Sequence, residues 1–294
     1  IRIGDWSSDV CSSDLLLYMI TRIISDSSCE LFDSADGQFR TAPLTISTDE
    51  RSFLDDNNLN THEMLDYLSA HKGRSYTACP SIESWLSCFE GADVIYVAVM
   101  TSALSGTLNS ALSAKSIYEQ QHPEVKIHIF DTLTTGPELW LFIEKLEELV
   151  ASGTSYDEVI RIADEYIHTT RLFFALKSLH NLAANGRINK AVASAIGILG
   201  ISILNTASEE GRIHPIGKCR SSKKLVASIM EQLDTAGYHG GKVRISHIEN
   251  AALAESIQAE IYKKYPQADV QFRHCRGLCS YYAEKGGILI GCEC

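Results

Sequence analysis

The sequence predicts an α/β protein of two α/β domains: an N-terminal one with a largely parallel sheet and flanking helices, and a C-terminal one with a mixed sheet and helices. Three observations carry this expectation. Val94–Met100 (VIYVAVM) is apolar or aromatic throughout, the pattern of a strand covered on both faces, as in parallel sheets. Strand and helix patterns alternate from Ile20 to about residue 170, which implies crossover connections and parallel pairing. A second alternation follows Ile213, and no Pro-rich or Gly/Ser-rich linker separates the two. The boundary is therefore placed near residues 168–176, with a first domain over 19–170 and a second over 171–294, packed closely together.

Each element has a local reason. Ile20–Ile24 is a short apolar run ending in Ser25-Asp26-Ser27-Ser28, a strand feeding a hydroxyl-rich loop. Val94–Met100 likewise stops at Thr101–Thr107 (TSALSGT), ahead of a helical stretch. Ile127–Phe130 makes a third strand and runs into Asp131–Thr135 (DTLTT). Gly136-Pro137 opens a helix, with proline where no amide hydrogen is needed, and Gly153 closes it. Ser155-Tyr156-Asp157-Glu158 reads as a capping box, followed by Val159, Ile162, Ala163, Tyr166 and Ile167 on one face. Arg171–Ala175 reads as a strand, Lys177–Asn185 as a helix stopped by Gly186, and Ala191–Leu204 as a buried helix and strand. A helix over Ser222–Leu233, a strand over Lys242–His247, a helix over Ala251–Tyr265, and strands over Asp269–Arg273 and Gly287–Cys292 complete the pattern. Open parallel sheets bind ligands beyond the carboxyl ends of their strands, so the three loops rich in Ser and Thr are where a site is expected.

Composition narrows the function. With 294 residues, 45% hydrophobic and 21% charged, the chain can bury a sizeable core. Its 26 Lys and Arg against 37 Asp and Glu give a formal charge of −11. That argues against nucleic acid as a partner, which needs a basic face to displace counterions from phosphates. No apolar run reaches the roughly 18–20 residues that cross a bilayer, so no integral membrane segment is expected. Nine scattered cysteines, an odd number, do not form a disulfide framework and read as reduced thiols in a cytoplasm. Asp5–Leu15 (DWSSDVCSSDL) matches, codon by codon, the translation of a common sequencing-library adapter, so residues 1–18 are expected to be a non-native leader and Met19 the native start. Setting aside Arg2, Asp5, Asp9 and Asp14 still leaves a net −9.

No phosphate loop, GxGxxG after a strand, GxSxG elbow or HExxH is present, so neither nucleotide binding nor triad hydrolysis is expected, and no catalytic residue is assigned. His128 and His247 lie within predicted strands and are expected to serve the core. His274, Cys275, Cys279, Cys292 and Cys294 form a C-terminal group of soft ligands. A thiol- or metal-dependent enzyme built on this group is the alternative function. Against a metal, Cys275 and Cys279 are separated by three residues where zinc sites favour two, and Cys292 and Cys294 are expected on opposite faces of the last strand. Half-buried or buried free thiols and no metal are the expectation.

Several short segments, in order and spacing, resemble the DegV family of bacterial fatty-acid-binding proteins. They are Asp26-Ser27-Ser28-Cys29-Glu30-Leu31 with Pro43-Leu44-Thr45-Ile46, then Thr77-Ala78-Cys79-Pro80-Ser81, then Ser102-Ala103-Leu104-Ser105-Gly106-Thr107 continuing to Ala111. Thr170-Arg171-Leu172-Phe173-Phe174 and Gly186-Arg187-Ile188-Asn189-Lys190 follow. The likeness runs from Met19 to Cys294, and the RGLCSYYAEKGG and TGPELWLFIEKL segments resemble a subgroup of the family.

The resemblance implies two α/β domains with one long-chain fatty acid between them, its carboxylate held near the surface by hydroxyls of the Thr/Ser loops. Carried over position by position, it implicates Thr77, Ser105 and Ser102, the backbone amide of Gly106, and Arg171 as a charge near the carboxylate. It also implies a non-catalytic carrier, with no cofactor beyond the bound fatty acid, that presents its ligand to a separate fatty acid kinase subunit making acyl-phosphate for phospholipid synthesis. A lipid sensor without a kinase partner remains a second alternative. The chain departs from the family pattern where many members carry an HAGPG-like segment with a carboxylate-binding histidine. Here Gly277–Gly287 has no histidine, and Tyr281 or Tyr282 is expected to donate a hydroxyl instead. Cys79 replaces a glutamine, and a proline common in the family is replaced near Ile203. Ala191–Leu204 is the expected wall for the acyl tail.

Overall fold

A computed structural model describes residues 19–188 and 200–294. The predicted leader, Asn189, Lys190 and most of the wall expected over Ala191–Leu204 lie outside the described residues. The first half runs β1 (Thr21–Asp26), β2 (Phe39–Ala42), β3 (Thr45–Thr48), β4 (Ser52–Leu54), α1 (Thr61–Ala70), β5 (Ser75–Ala78), α2 (Ile82–Phe89), β6 (Val94–Val99), α3 (Thr107–Gln121), β7 (Lys126–Asp131), α4 (Pro137–Ala151) and α5 (Tyr156–Tyr166). The second runs β8 (Thr170–Leu176), α6 (His180–Ala184), β9 (Ser202–Ala207), β10 (Ile213–Cys219), α7 (Ser222–Thr235), β11 (Lys242–His247), α8 (Ala251–Lys264), β12 (Asp269–His274), α9 (Gly277–Ala283) and β13 (Ile288–Glu293).

The first sheet is wholly parallel, in the order β2-β1-β6-β7. Every residue of β6 is buried, because the sheet is covered on both faces. Ile95, Val97 and Val99 meet Trp85, Phe89, Ala111 and Ala114 of α2 and α3, while Tyr96 and Ala98 meet Phe142, Leu146 and Val159 of α4 and α5. The second sheet is mixed, in the order β10-β9-β8-β13-β11-β12, with only β11 and β12 parallel among its pairs. One face packs on α7 and α8 through Ile245, Ile290, Ile229 and Ile257. A third, small antiparallel sheet orders β4-β3-β5.

Two helices tie the halves together. α4 begins with Pro137 and lies between the two large sheets. A Cβ on Gly291 of β13 would stand 2.5 Å from the amide nitrogen of Glu138, so helix and strand touch backbone to backbone and only glycine fits there. On its outer side Glu144 grips the Arg244 guanidinium with both oxygens at 2.8 Å. α9 comes from the second half but buries Leu278 and Tyr281 against first-half elements. Asp55 receives the Gly277 and Leu278 amides on its two carboxylate oxygens, each at 2.9 Å, which satisfies the start of α9.

Local expectations were met unevenly. Ser155 precedes α5, but its side chain makes no capping hydrogen bond, and the helix is held by burial of Val159 and Ala163. The helix expected over Lys177–Asn185 shortens to His180–Ala184. The hydroxyl of Ser178 instead donates to Glu284 and accepts from the His180 amide, fixing that stretch as a turn. Cys292 and Cys294 do not point to opposite faces: their Sγ atoms are 3.4 Å apart, because residues two apart on a strand share a face. Among the described residues no helix is long and apolar enough to cross a membrane.

Candidate functional site

A cavity with ≈ 720 Å³ of free space, its mouth included, lies where the carboxyl ends of β6 and β7 meet the inner face of the second sheet. Alternation along β8 builds one wall. Leu172, Phe174 and Leu176 face the cavity, while Phe173 and Ala175 face the opposite core. Leu278, Cys279 and Tyr282 of α9 form the facing wall, with Met100, Leu104 and Leu133 from the loops after β6 and β7.

The hairpin between β9 and β10 covers the cavity. At its tip Gly211 has φ +71, and a Cβ there would lie 2.7 Å from the Leu133 carbonyl oxygen, so the hairpin backbone rests directly on the β7 loop. Leu104, Arg187 and Arg212 belong both to the cavity and to a polar recess formed with Ala103, Ser105, Gly106, Asn185 and Gly186. The apolar space therefore opens onto polar groups.

Those groups are donors. α3 starts at Thr107 after Gly106, which has no side chain to cap it, and the amide end of this 15-residue helix faces the recess, with the Thr107 amide donating to the Ser105 hydroxyl at 3.3 Å. The hydroxyls of Ser105 and Thr107 are 2.7 Å apart. Cys79 Sγ stands 3.8 Å from where a Cβ on Gly106 would be, which brings the Thr77–Ser81 segment against the same helix start. Thr77 and Tyr282 join hydroxyl to hydroxyl at 2.7 Å. Burial raises the Tyr282 phenol, with the Thr77 hydrogen bond and the Arg187 charge pulling the other way, so Tyr282 stays a protonated donor at neutral pH. Arg187 donates to the carbonyls of Leu104 (3.1 Å) and Asn185 (2.6 Å), and among the described residues no carboxylate pairs with it. Converging hydroxyls, amides and a guanidinium suit a carboxylate, which is costly to bury without such partners.

Of the residues expected from sequence, Thr77, Ser105, Gly106 and Tyr282 come together. The other three do not join them. Arg171, the second residue of β8, lies on the face away from the cavity, is exposed, and donates to the carbonyls of His168 and Thr170. Ser102 is exposed and gives its amide to the Asp131 carboxylate at 3.1 Å. Tyr281 is buried elsewhere, its hydroxyl 2.8 Å from that of Ser75 and accepting from Asn185 at 2.9 Å. Sequence reasoning passed over Arg187, although it stood in the quoted Gly186–Lys190 segment, and Arg212.

Beneath the cavity lies a buried polar hub that positions α9. Glu30 accepts the Arg276 amide at 2.5 Å, and the Arg276 guanidinium donates to the carbonyls of Leu31 and Asp55 (2.5 Å to the latter). Burial pushes the Glu30 carboxyl up to about 8 and raises those of Asp26 and Asp55. Burial also raises the Cys275 and Cys279 thiols, which keeps them protonated. Among the described residues no group of three or more His, Cys, Asp or Glu side chains is arranged to hold a metal ion.

The sequence model of the DegV family, described as uncharacterised proteins, matches residues 21–292. A DegV domain-containing protein of Streptococcus gordonii is 38% identical over 279 residues, covering 94% of this chain and 99% of the relative. Among solved structures, a DegV family protein from Eubacterium eligens loaded with heptadecanoic acid is 48% identical with a TM-score of 0.90, covering 93% of this chain and 99% of that one. The fatty acid kinase B3 protein of Streptococcus pneumoniae, loaded with linoleic acid, is 38% identical with a TM-score of 0.90, covering 94% and 99%.

Proposed function

The chain belongs to the DegV family, and on that premise we propose that it binds one long-chain fatty acid and presents the carboxylate to a separate kinase subunit for conversion to acyl-phosphate. The observation that carries this reading is an apolar cavity opening onto a cluster of donors. The acyl tail occupies the space between β8 and α9. The carboxylate meets the hydroxyls of Thr77, Tyr282 and Ser105, the amide of Gly106 and the guanidinium of Arg187. A tail of about 14 methylenes leaving water, at roughly 0.8 kcal/mol each, gains on the order of 11 kcal/mol. Ordering the chain and the protein offsets part of that gain.

In this reading the protein is a carrier. It holds the substrate and excludes water from the tail, and the phosphoryl transfer belongs to the kinase, which draws on cytoplasmic ATP. Native mass spectrometry with organic extraction tests the ligand: one fatty acid per chain is expected. An empty protein that takes up neither oleate nor palmitate overturns it. Acyl-phosphate formed only when loaded carrier, kinase and ATP are combined tests the second half.

A further inference from the structure

Eight cysteines fall within the described residues, all free, and one pair stands apart from the rest. Cys292 and Cys294 leave the same face of the chain at the end of β13, with Sγ atoms 3.4 Å apart. That is closer than the roughly 3.8 Å between two sulfurs on a tetrahedral zinc with Zn–S bonds of about 2.3 Å. The pair is therefore arranged for direct S–S contact rather than around an ion.

The surroundings give the two sulfurs different roles. Cys292 is fully buried, paired with Val243 of β11 and Arg171 of β8, and its Sγ lies 3.7 Å from the Arg171 carbonyl. Cys294 follows the last strand residue and is half-buried, so solvent reaches the pair from its side. Its amide donates to the Thr169 carbonyl at 2.7 Å, which holds the backbone at the pair. The hydrogen bond between them lowers the Cys294 thiol and, together with burial, raises that of Cys292, with the Arg171 guanidinium a smaller pull toward the thiolate at each. A half-buried thiol open to solvent beside a fully buried second thiol is the arrangement of an attacking and a resolving cysteine.

We propose that Cys292 and Cys294 form a reversible intrachain disulfide by exchange with a small organic disulfide of the glutathione type. The Cys294 thiolate attacks one sulfur of the small disulfide, forming a mixed disulfide and expelling one small thiolate. Cys292 then gives up its proton and attacks Cys294 Sγ, closing the S–S bond and expelling the second small thiolate, which takes the proton. Two electrons pass from the cysteine pair to the small disulfide, which leaves as two thiols. Closing so small a ring across two strand-like residues strains the bond, so it opens again in excess reduced thiol and acts as a modification rather than a staple.

The test equilibrates the full chain with mixtures of oxidised and reduced glutathione, quenches with an alkylating agent, and reads the intact mass and the tryptic peptide that begins at Gly286. The wild-type peptide is expected to lose the mass of two hydrogens and to regain it in reduced glutathione. Cys292→Ala should stop at one glutathionyl adduct on Cys294, and Cys294→Ala should leave Cys292 unmodified. The proposal is overturned if the wild-type protein holds a stable adduct on Cys294 without closing the ring. It is equally overturned if neither sulfur changes under conditions that modify the half-exposed Cys79. Because both outcomes are read on the wild-type chain, a variant that fails to fold does not leave the question open.

Discussion

The hydroxyl of Tyr282 stands 2.7 Å from that of Thr77, which joins α9 of the second half to β5 of the first at the polar mouth of the cavity. One hydroxyl hydrogen bridges the pair, which leaves the other free to donate to an arriving carboxylate. A hydrogen bond to a charged group contributes about 1.5–3 kcal/mol, so losing one weakens binding by roughly 10- to 100-fold. Thr77→Val and Tyr282→Phe are each expected to raise the Kd for oleate in that range while the melting temperature stays within a few degrees. The double variant should cost less than the product of the two, because the residues share one network. Unchanged Kd values in both single variants would remove these hydroxyls from the site.

Two arginines separate the cavity mouth from the far side of β8. Arg187 reaches the recess and, among the described residues, has only carbonyl partners, whereas Arg171 projects from the opposite face. Arg187→Gln should weaken oleate binding by about tenfold or more, as expected for loss of a charge-assisted contact. Arg171→Gln should leave it unchanged. Titration calorimetry on both variants decides the matter, and the opposite ranking would return Arg171 to the carboxylate.

Much of this was legible in the chain, for physical reasons that also explain the rest. β6 could be read because a strand covered on both faces has no polar position, and α4 because Gly136-Pro137 marks a helix start. The three-residue β4 and four-residue β2, β3 and β5 are too short to show a period, and α9 is buried nearly all round and so shows no polar face. Whether Tyr281 or Tyr282 reaches the mouth depends on the rotation of α9, which is set by Asp55, more than 220 residues earlier at its contacts to Gly277 and Leu278. The place of Arg171 on the face away from the cavity could have been read from the sequence. Alternation along β8 puts it opposite Leu172 and Phe174, and the same period-two rule puts Cys292 and Cys294 together.

The Glu30 carboxyl gives a pH dependence of known sign. Burial lifts it from 4.5 to about 8, so between those values the folded protein keeps a proton that the unfolded chain has released. Its contribution to stability is therefore complete below the unfolded value and is lost as pH rises through the folded one. The raised carboxyls of Asp26 and Asp55 act in the same direction. Glu30→Gln is expected to match wild type near pH 4 and to exceed it by up to a few kcal/mol above about pH 8. Urea denaturation across that range measures it, and parallel curves for the two proteins would show that Glu30 does not titrate in this window.

The hairpin tip offers a test of how the cavity is kept closed. Gly211 and Gly153 both adopt left-handed backbone, φ +71 and φ +73, where an alanine costs about 1–2 kcal/mol whatever surrounds it. They differ in what a Cβ would meet. At Gly153 there is nothing within 4 Å, while at Gly211 the Leu133 carbonyl oxygen is 2.7 Å away and the Thr101 side chain is closer still. Gly153→Ala should therefore lower stability alone. Gly211→Ala should add to that a hairpin lifted off the loops after β6 and β7, which opens the cavity and raises the dissociation rate of oleate severalfold. Association should change little, since interface changes act mainly on dissociation. Stopped-flow displacement of a fluorescent fatty acid from the two variants, compared at equal loss of melting temperature, isolates the packing effect. Equal dissociation rates would mean that the hairpin does not retain the ligand and that the contact of Gly211 with Leu133 serves the fold alone.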